Sequence, residues 1–156
     1  MIEINNLTTN PVDEKFLEKI AEIVLKSEGK GKSDLSIALI GPGKMRGLNK
    51  RYLGKNRVTD VLAFSENSKW GPAKGWEGGG RVGVQIPNSK FRGIGEIVIC
   101  LREVRKNAKK FKSSFEKELA RVLIHGILHL IGYDHEKNKE EAEKMEEKEK
   151  TYLNQL

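Results

Sequence analysis

The histidines of this chain number three, and His125, His129 and His135 all fall in the eleven-residue stretch His125-Gly126-Ile127-Leu128-His129-Leu130-Ile131-Gly132-Tyr133-Asp134-His135. In a helix, residues i and i+4 stack on one face with Cβ atoms about 6 Å apart. Two imidazoles so placed can reach one metal ion at about 2.1 Å each. Gly132 is the residue type that ends a helix, because without a Cβ it accepts a left-handed backbone. A turn there can return His135 to the same ion. The pattern predicts a three-histidine metal site. Imidazole donors with an open position suit zinc, although iron, nickel and copper accept the same donors. Structural zinc is normally closed by four protein ligands, whereas catalytic zinc has three plus a water whose pKa falls towards about 7. With three histidines and one cysteine available, one zinc per chain with an open fourth position is the economical expectation.

The same spacing says what the site is not. The zinc-peptidase pattern H-E-x-x-H-x-x-G-x-x-H places a general-base glutamate directly after the first histidine. Here that position is Gly126. Peptide hydrolysis would lack its proton acceptor, so a zincin-like geometry with different chemistry is expected.

These residues need a scaffold, and the flanking sequence supplies one. Ser113-Ser114-Phe115-Glu116 offers a capping box for the metal helix. Leu119, Val122, Leu123, Ile127 and Leu130 give that helix an apolar face. Ahead of it, Leu101 to Lys112 reads as a helix with Leu101, Val104, Ala108 and Phe111 inward. Its outward cations include Arg102, Arg105, Lys106 and Lys109. They form either a nucleic-acid-binding face or a solvated one. Asp134 adjoins a ligand, and is either a carboxylate orienting an imidazole or a turn residue.

Nearer the start, Ile2 to Ile4 reads as a strand. Asn10-Pro11-Val12-Asp13 opens a helix, with Asn10 as cap and Pro11 at the first helical position. Phe16, Leu17, Ile20, Ile23 and Val24 line its buried face. Leu35 to Ile40 is a strand, a short helix runs through Met45, Leu48 and Tyr52, and Thr59 to Phe64 is a further strand. Between residues 71 and 95 the chain spends eight of its sixteen glycines, near Trp70 and Trp76. Val82, Val84 and Ile86 alternate as a hairpin arm would against the strand Ile94 to Cys100. The glycine-rich loop, about 66–94, is either a tolerated insertion or an RNA clamp in which tryptophan stacks and lysines meet phosphates. A charged final helix makes its contacts through Ala142, Met145, Tyr152 and Leu153. The fold expected is α+β, a small mixed sheet of about four strands with packed helices around a zincin-like metal helix.

Composition bounds the rest. A chain of 156 residues has room for one core and one domain. No apolar run reaches the roughly 18 residues of a membrane span, and Met1 to Asn6 lacks the features of a signal peptide. The lone Cys100 fits a reducing cytoplasm and reads as a buried strand-end residue. The net charge is +7, and the segment Glu136 to Lys150 is itself acidic, so the remainder is more basic still. Such an excess favours a polyanionic partner such as RNA.

Taken together, the histidine stretch resembles the signature H-G-x-L-H-L-x-G-Y-D-H of the YbeY family. Thr59-Asp60-Val61-Leu62-Ala63-Phe64 is similar to that family's T-D-V-L-S-F strand, and Gly95-Glu96-Ile97-Val98-Ile99-Cys100 to its G-D-I-V-I-C strand. Ala142, Met145 and Glu149 echo its C-terminal helix. The resemblance runs from about Leu48 onward. It implies a single metal-dependent endoribonuclease domain over 1–156, cutting single-stranded RNA in 3′-end maturation of small-subunit (16S) ribosomal RNA and in quality control of the small ribosomal subunit. The family reads Y-R-G-K-D-x-P-T-D-V-L-S-F-P where this chain has Tyr52-Leu53-Gly54-Lys55-Asn56-Arg57-Val58-Thr59-Asp60-Val61-Leu62-Ala63-Phe64-Ser65. Leu53 therefore stands in place of an arginine, and Lys55 matches the family lysine. Lys55 and Arg57 are the expected catalytic cations, holding the phosphodiester and its added negative charge. Two rivals remain: a non-catalytic RNA-binding assembly factor with a structural zinc, and a metallopeptidase, which Gly126 argues against.

Overall fold

A computed structural model describes residues 1–65 and 93–156. In chain order the described elements are β1 (Ile2–Asn6), α1 (Glu14–Ser27), β2 (Asp34–Ile40), α2 (Pro42–Leu53), β3 (Val61–Ser65), β4 (Gly93–Cys100), α3 (Leu101–Lys110), α4 (Phe115–Leu130) and α5 (Lys139–Leu153). The strands form one mixed sheet in the order β1-β2-β4-β3. β1 and β4 both run parallel to β2, while β3 pairs antiparallel with β4. The α+β expectation and its four-stranded mixed sheet hold.

Alternation along the two central strands sorts side chains between two cores. Leu35, Ile37, Leu39, Ile97 and Ile99 face the larger core with α1 and α4, while Ala38, Ile40, Val98 and Cys100 face a smaller one with Met45 of α2. Both central strands are covered on both faces, which is why they read as near-continuous apolar runs. α4 lies at the centre of the larger core, packed against α1, α3, α5, β3 and β4. Its buried stripe includes Leu119, Val122, Leu123 and Ile127, and Leu130 packs partly buried at its end. The helix that carries His125 and His129 is thus held by five other described elements. Cys100 is buried at the end of β4. No described helix is long and apolar enough to cross a membrane.

Local chemistry moves several boundaries from their expected places. α1 starts at Glu14 rather than Pro11, because Asp13 is the cap and its Oδ1 accepts the Phe16 N–H at 3.1 Å. Asn10 is engaged elsewhere. Its carbonyl accepts Asn6 Nδ2–H at 2.7 Å and its N–H bonds Thr8 Oγ1 at 3.2 Å, so residues 6–10 close on themselves. Ser114 caps α4 through the Lys117 N–H at 3.1 Å, displacing the box expected from Ser113. α3 ends at Lys110, and Phe111 is 62% exposed instead of inward. Lys112 at φ 53° turns the chain towards α4 there, which takes the Phe111 ring off the stripe formed by Leu101, Val104 and Ala108. β4 starts at Gly93, so Gly93 and Ile94 belong to the strand, and the rest of the segment expected as a glycine-rich loop lies outside the described residues. The Val82–Val84–Ile86 arm and both tryptophans lie outside the described residues.

Candidate metal centre

α4 presents His125 and His129 one turn apart, and its C-terminus is built to return the chain. Gly132 adopts φ 111°, a conformation that strains residues with a Cβ. The Gly132 N–H bonds the His129 carbonyl at 3.2 Å and the Tyr133 N–H the Leu128 carbonyl at 3.0 Å, the paired bonds of a Schellman motif. The following loop brings His135 back. The three imidazole centroids form a near-equilateral triangle with sides of 4.7, 5.2 and 4.8 Å. Their ligating nitrogens lie within 4.8 Å of one another. Two nitrogens each bonded to one ion at about 2.1 Å are at most about 4.2 Å apart, so ligation would draw the rings slightly inward. Burial, reinforced by the neighbouring His125 and His135, pushes the pKa of His129 below 6.5 and favours the neutral, metal-ligating form. The donor set therefore fits a metal ion.

A carboxylate engages the back of this triangle. Glu149 of α5 accepts a hydrogen bond from His125 Nδ1, which leaves the Nε2 lone pair free for a metal. Carboxylate–histidine pairs of this kind fix the tautomer and ring orientation of metal ligands. Nothing local in the sequence singles Glu149 out among the acids of α5. The only signal was its place in the family's C-terminal helix. Asp134, the residue expected to be either an orienting carboxylate or a turn former, is exposed, and its Oδ1 accepts the Glu136 N–H at 2.9 Å.

The histidines open into a cleft of about 560 Å³ that is also lined by Leu53, Lys55 and Arg57. The loop bearing the two cations is tied at both ends. At one end, buried Asn49 of α2 donates from Nδ2 to the Arg57 carbonyl at 2.9 Å, and its own carbonyl accepts the Lys55 N–H at 3.3 Å. At the other, the Asp60 carbonyl accepts the Cys100 N–H at 2.8 Å, and its carboxylate lies 3.8 Å from Arg121 of α4 and 3.4 Å from the Asn107 amide of α3. Arg121 is itself fixed by the buried Glu118 carboxylate at 2.6 Å. Lys55 and Arg57 are thus brought beside the histidines. Arg102, Arg105, Lys106 and Lys109 are not in the cleft wall. They lie exposed along α3, with the Arg105 guanidinium 5.1 Å above the Phe115 ring.

Gly126, buried on α4, faces the sheet. A Cβ there would come within 3.1 and 3.2 Å of Ile97 Cγ2 and Cδ1 on β4. The glycine lets α4 approach the sheet closely, and the position has no room for the glutamate of a zinc peptidase.

Comparison with known proteins decides the family. The family model described as "Endoribonuclease YbeY" matches residues 3–156. The chain belongs to the YbeY endoribonuclease family. It is 37% identical over 154 residues to the Endoribonuclease YbeY of Petrotoga mobilis, covering 98% of this chain and 92% of that protein. To the Endoribonuclease YbeY of Thermotoga maritima it is 35% identical over 143 residues, covering 92% and 79%. The solution structure of the Thermotoga maritima protein TM1509 superposes with a TM-score of 0.61 at 32% identity, covering 98% of this chain and 87% of that one. YbeY membership makes RNA the substrate, phosphodiester cleavage the reaction and the histidine triad the place where a metal can be held.

Proposed function

We propose that the whole chain is one zinc-dependent, single-strand-specific endoribonuclease domain. It would mature the 3′ end of 16S ribosomal RNA and act in late quality control of the small ribosomal subunit, in the cytoplasm. The observation that carries this reading is the meeting of three histidines and two cations in one cleft. His125, His129 and His135 would hold one zinc ion per chain. When bound, zinc supplies a Lewis acid for a phosphate oxygen and lowers the pKa of a bound water.

The chain's own residues do the remainder. Arg57 and Lys55 hold the scissile phosphate, the guanidinium as a fork and the ammonium as a point charge. They also offset the negative charge added as the phosphorus is attacked. Asn49 and Asp60 keep their loop in place, and Glu149 keeps His125 in the tautomer that ligates through Nε2. The cations of α3, Arg102, Arg105, Lys106 and Lys109, extend phosphate binding beyond the cleft. Asp134 shapes the loop between the second and third ligands.

The test is incubation of the zinc-loaded protein with single-stranded RNA and with casein, each with a chelator control. Chelator-sensitive cleavage of RNA alone supports the proposal, and end-group analysis then separates the routes. A 2′,3′-cyclic phosphate with a 5′-hydroxyl on the other fragment reports attack by the RNA's own 2′-hydroxyl, and a 3′-hydroxyl with a 5′-phosphate reports attack by water. One observation favours a second reading, a ribosome assembly factor with a structural zinc: Leu53 gives the cleft an apolar side chain where the family carries arginine. Absence of any chelator-sensitive RNA cleavage would put that reading first. If Leu53→Arg raises the rate, by up to about 10²-fold, and Arg57→Ala abolishes it with zinc content unchanged, the cation-assisted mechanism stands.

A further inference from the structure

His125 and His129 are held by a helix at the centre of the core, but His135 is exposed on the loop between α4 and α5. Its position depends on what restrains that loop. Tyr133, two residues before it, packs partly buried against the larger core. The Tyr133 hydroxyl donates to Glu28 Oε2 at 3.0 Å. Glu28 is the C-cap of α1, more than a hundred residues away in sequence, and its own N–H bonds the Val24 carbonyl at 3.0 Å. Val24 and Leu25 beside it are buried, so the carboxylate projects from a rigid base.

The other oxygen of Glu28 is also taken. Oε1 accepts from the buried Tyr152 hydroxyl and lies 3.0 Å from Lys148 Nζ, both on α5. The Glu28 side chain is only 11% exposed, so water competes poorly for these bonds. Lys144 of α5 adds a cation 5.9 Å from the Tyr133 ring centroid. One carboxylate thus joins α1, the His135 loop and α5 through three donors. Such a junction exceeds what a helix cap requires, since the α1 C-cap is already satisfied by backbone bonds.

We propose that Glu28, through Tyr133, is a positioning residue that holds the His135 loop in its metal-ligating geometry. The proposal rests on the three-histidine metal reading. Glu28→Gln replaces one acceptor oxygen by an N–H donor, which must then face a hydroxyl or ammonium that also donates. Tyr133→Phe removes only the loop's bond and is the milder change.

The experiment measures the zinc dissociation constant of the full-length protein by competition with a chromophoric chelator. The stability of the metal-free protein is measured in parallel by urea unfolding. Wild type, Glu28→Gln, Tyr133→Phe and the double variant are compared, each also in a His135→Ala background. Loss of a group that orients a ligand typically weakens metal binding 10- to 100-fold, and about 10-fold is expected for either single variant. The double variant should bind no more weakly than the weaker single one, because both act along one path. With His135 already replaced, Glu28→Gln and Tyr133→Phe should change zinc affinity less than about twofold. If His135→Ala weakens zinc binding but neither substitution does, whatever it costs in stability, Glu28 is only structural and the proposal is overturned. An equal effect with and without His135 also overturns it, since the path would not run through that loop. Wild-type affinity in His135→Ala itself would instead overturn the three-histidine reading, and this proposal with it. Should Glu28→Gln fail to fold, Tyr133→Phe with and without His135 decides.

Discussion

Gly126 should change the sign of its effect with the identity of residue 97. A Cβ at position 126 would lie 3.1 Å from Ile97 Cγ2, 3.2 Å from Cδ1 and 3.4 Å from Cγ1. Carbon pairs prefer about 3.5–4.0 Å, so Ile97 or α4 must give way. Ile97 is fully buried in the middle of β4 and has little freedom to do so. Overpacking of this kind costs about 1–3 kcal/mol, while replacing glycine by alanine inside a helix contributes about 1 kcal/mol the other way. Gly126→Ala should therefore destabilise the protein by about 0–2 kcal/mol. Ile97→Ala removes all three close atoms and costs about 2–5 kcal/mol alone. On that background Gly126→Ala meets no obstruction, regains the helix propensity and fills part of the cavity, so it should stabilise by about 1 kcal/mol. Urea midpoints of the four proteins, at constant m, give the coupling directly. Equal effects of Gly126→Ala on the two backgrounds would refute the packing explanation of the glycine.

Other predictions follow from the tethers around the cleft. Glu149→Gln keeps the size of the side chain but removes the charge bonded to His125, and should weaken zinc binding 10- to 100-fold in chelator competition. Asn49→Ala frees the Arg57 carbonyl and should slow RNA cleavage with zinc content unchanged in elemental analysis. The Glu28 cluster sets a pH window. Burial raises the Glu28 pKa, but bonds from Tyr152, Lys148 and Tyr133 outweigh it and leave it below 4.5, so its stabilisation is complete above that value and lost as pH falls through the lowered pKa. Burial and the bonds to Glu28 raise the pKa of Tyr152 and Tyr133 above 10.0, so their contribution is complete below pH 10.0 and lost as pH rises through the raised values. The urea-midpoint difference between wild type and Glu28→Gln should be flat from about pH 5 to 9.5 and shrink on either side. RNA affinity should fall steeply with salt, and replacing Arg105, Lys106 or Lys109 by Ala should each reduce the log–log slope by about 1 if that residue meets a phosphate.

The metal triangle was legible because its determinants are local. An i, i+4 pair on an apolar helix and a glycine at the turn fix three side chains within eleven residues. The sheet was legible for the same kind of reason, since both central strands are apolar on two faces. What escaped depends on distant segments. Glu149 meets His125 across 24 residues and Glu28 meets Tyr133 across 105, and neither acid differs in sequence context from its exposed neighbours. Asn10 looked like a cap because Asn-Pro usually opens a helix, but Asn6 and Thr8 compete for it within one turn. Phe111 kept the helical spacing of its stripe, yet the helix stops one residue before it.

Two carboxylates and the two cations Lys55 and Arg57 line the cleft among the described residues. The carboxylates are Asp60 and Glu136. Asp60 is already committed: Thr59 lies 3.4 Å from Oδ1, Asn107 3.4 Å from Oδ2, and Arg121 3.8 Å from Oδ2. It shares Arg121 with the Glu118 carboxylate, so it belongs to a network inside the scaffold. Glu136 sits exposed next to His135 in the cleft wall. The side chains of Lys55 and Arg57 are exposed and enter no ion pair among the described residues, so their charge faces the cleft and solvent. The scissile amide of a peptide would bring such a wall no negative charge, and would find no carboxylate at Gly126 to activate water. A phosphodiester brings the charge these two cations can neutralise. Arg57→Glu should accordingly abolish RNA cleavage more completely than Arg57→Ala, because it adds repulsion to the loss of a partner.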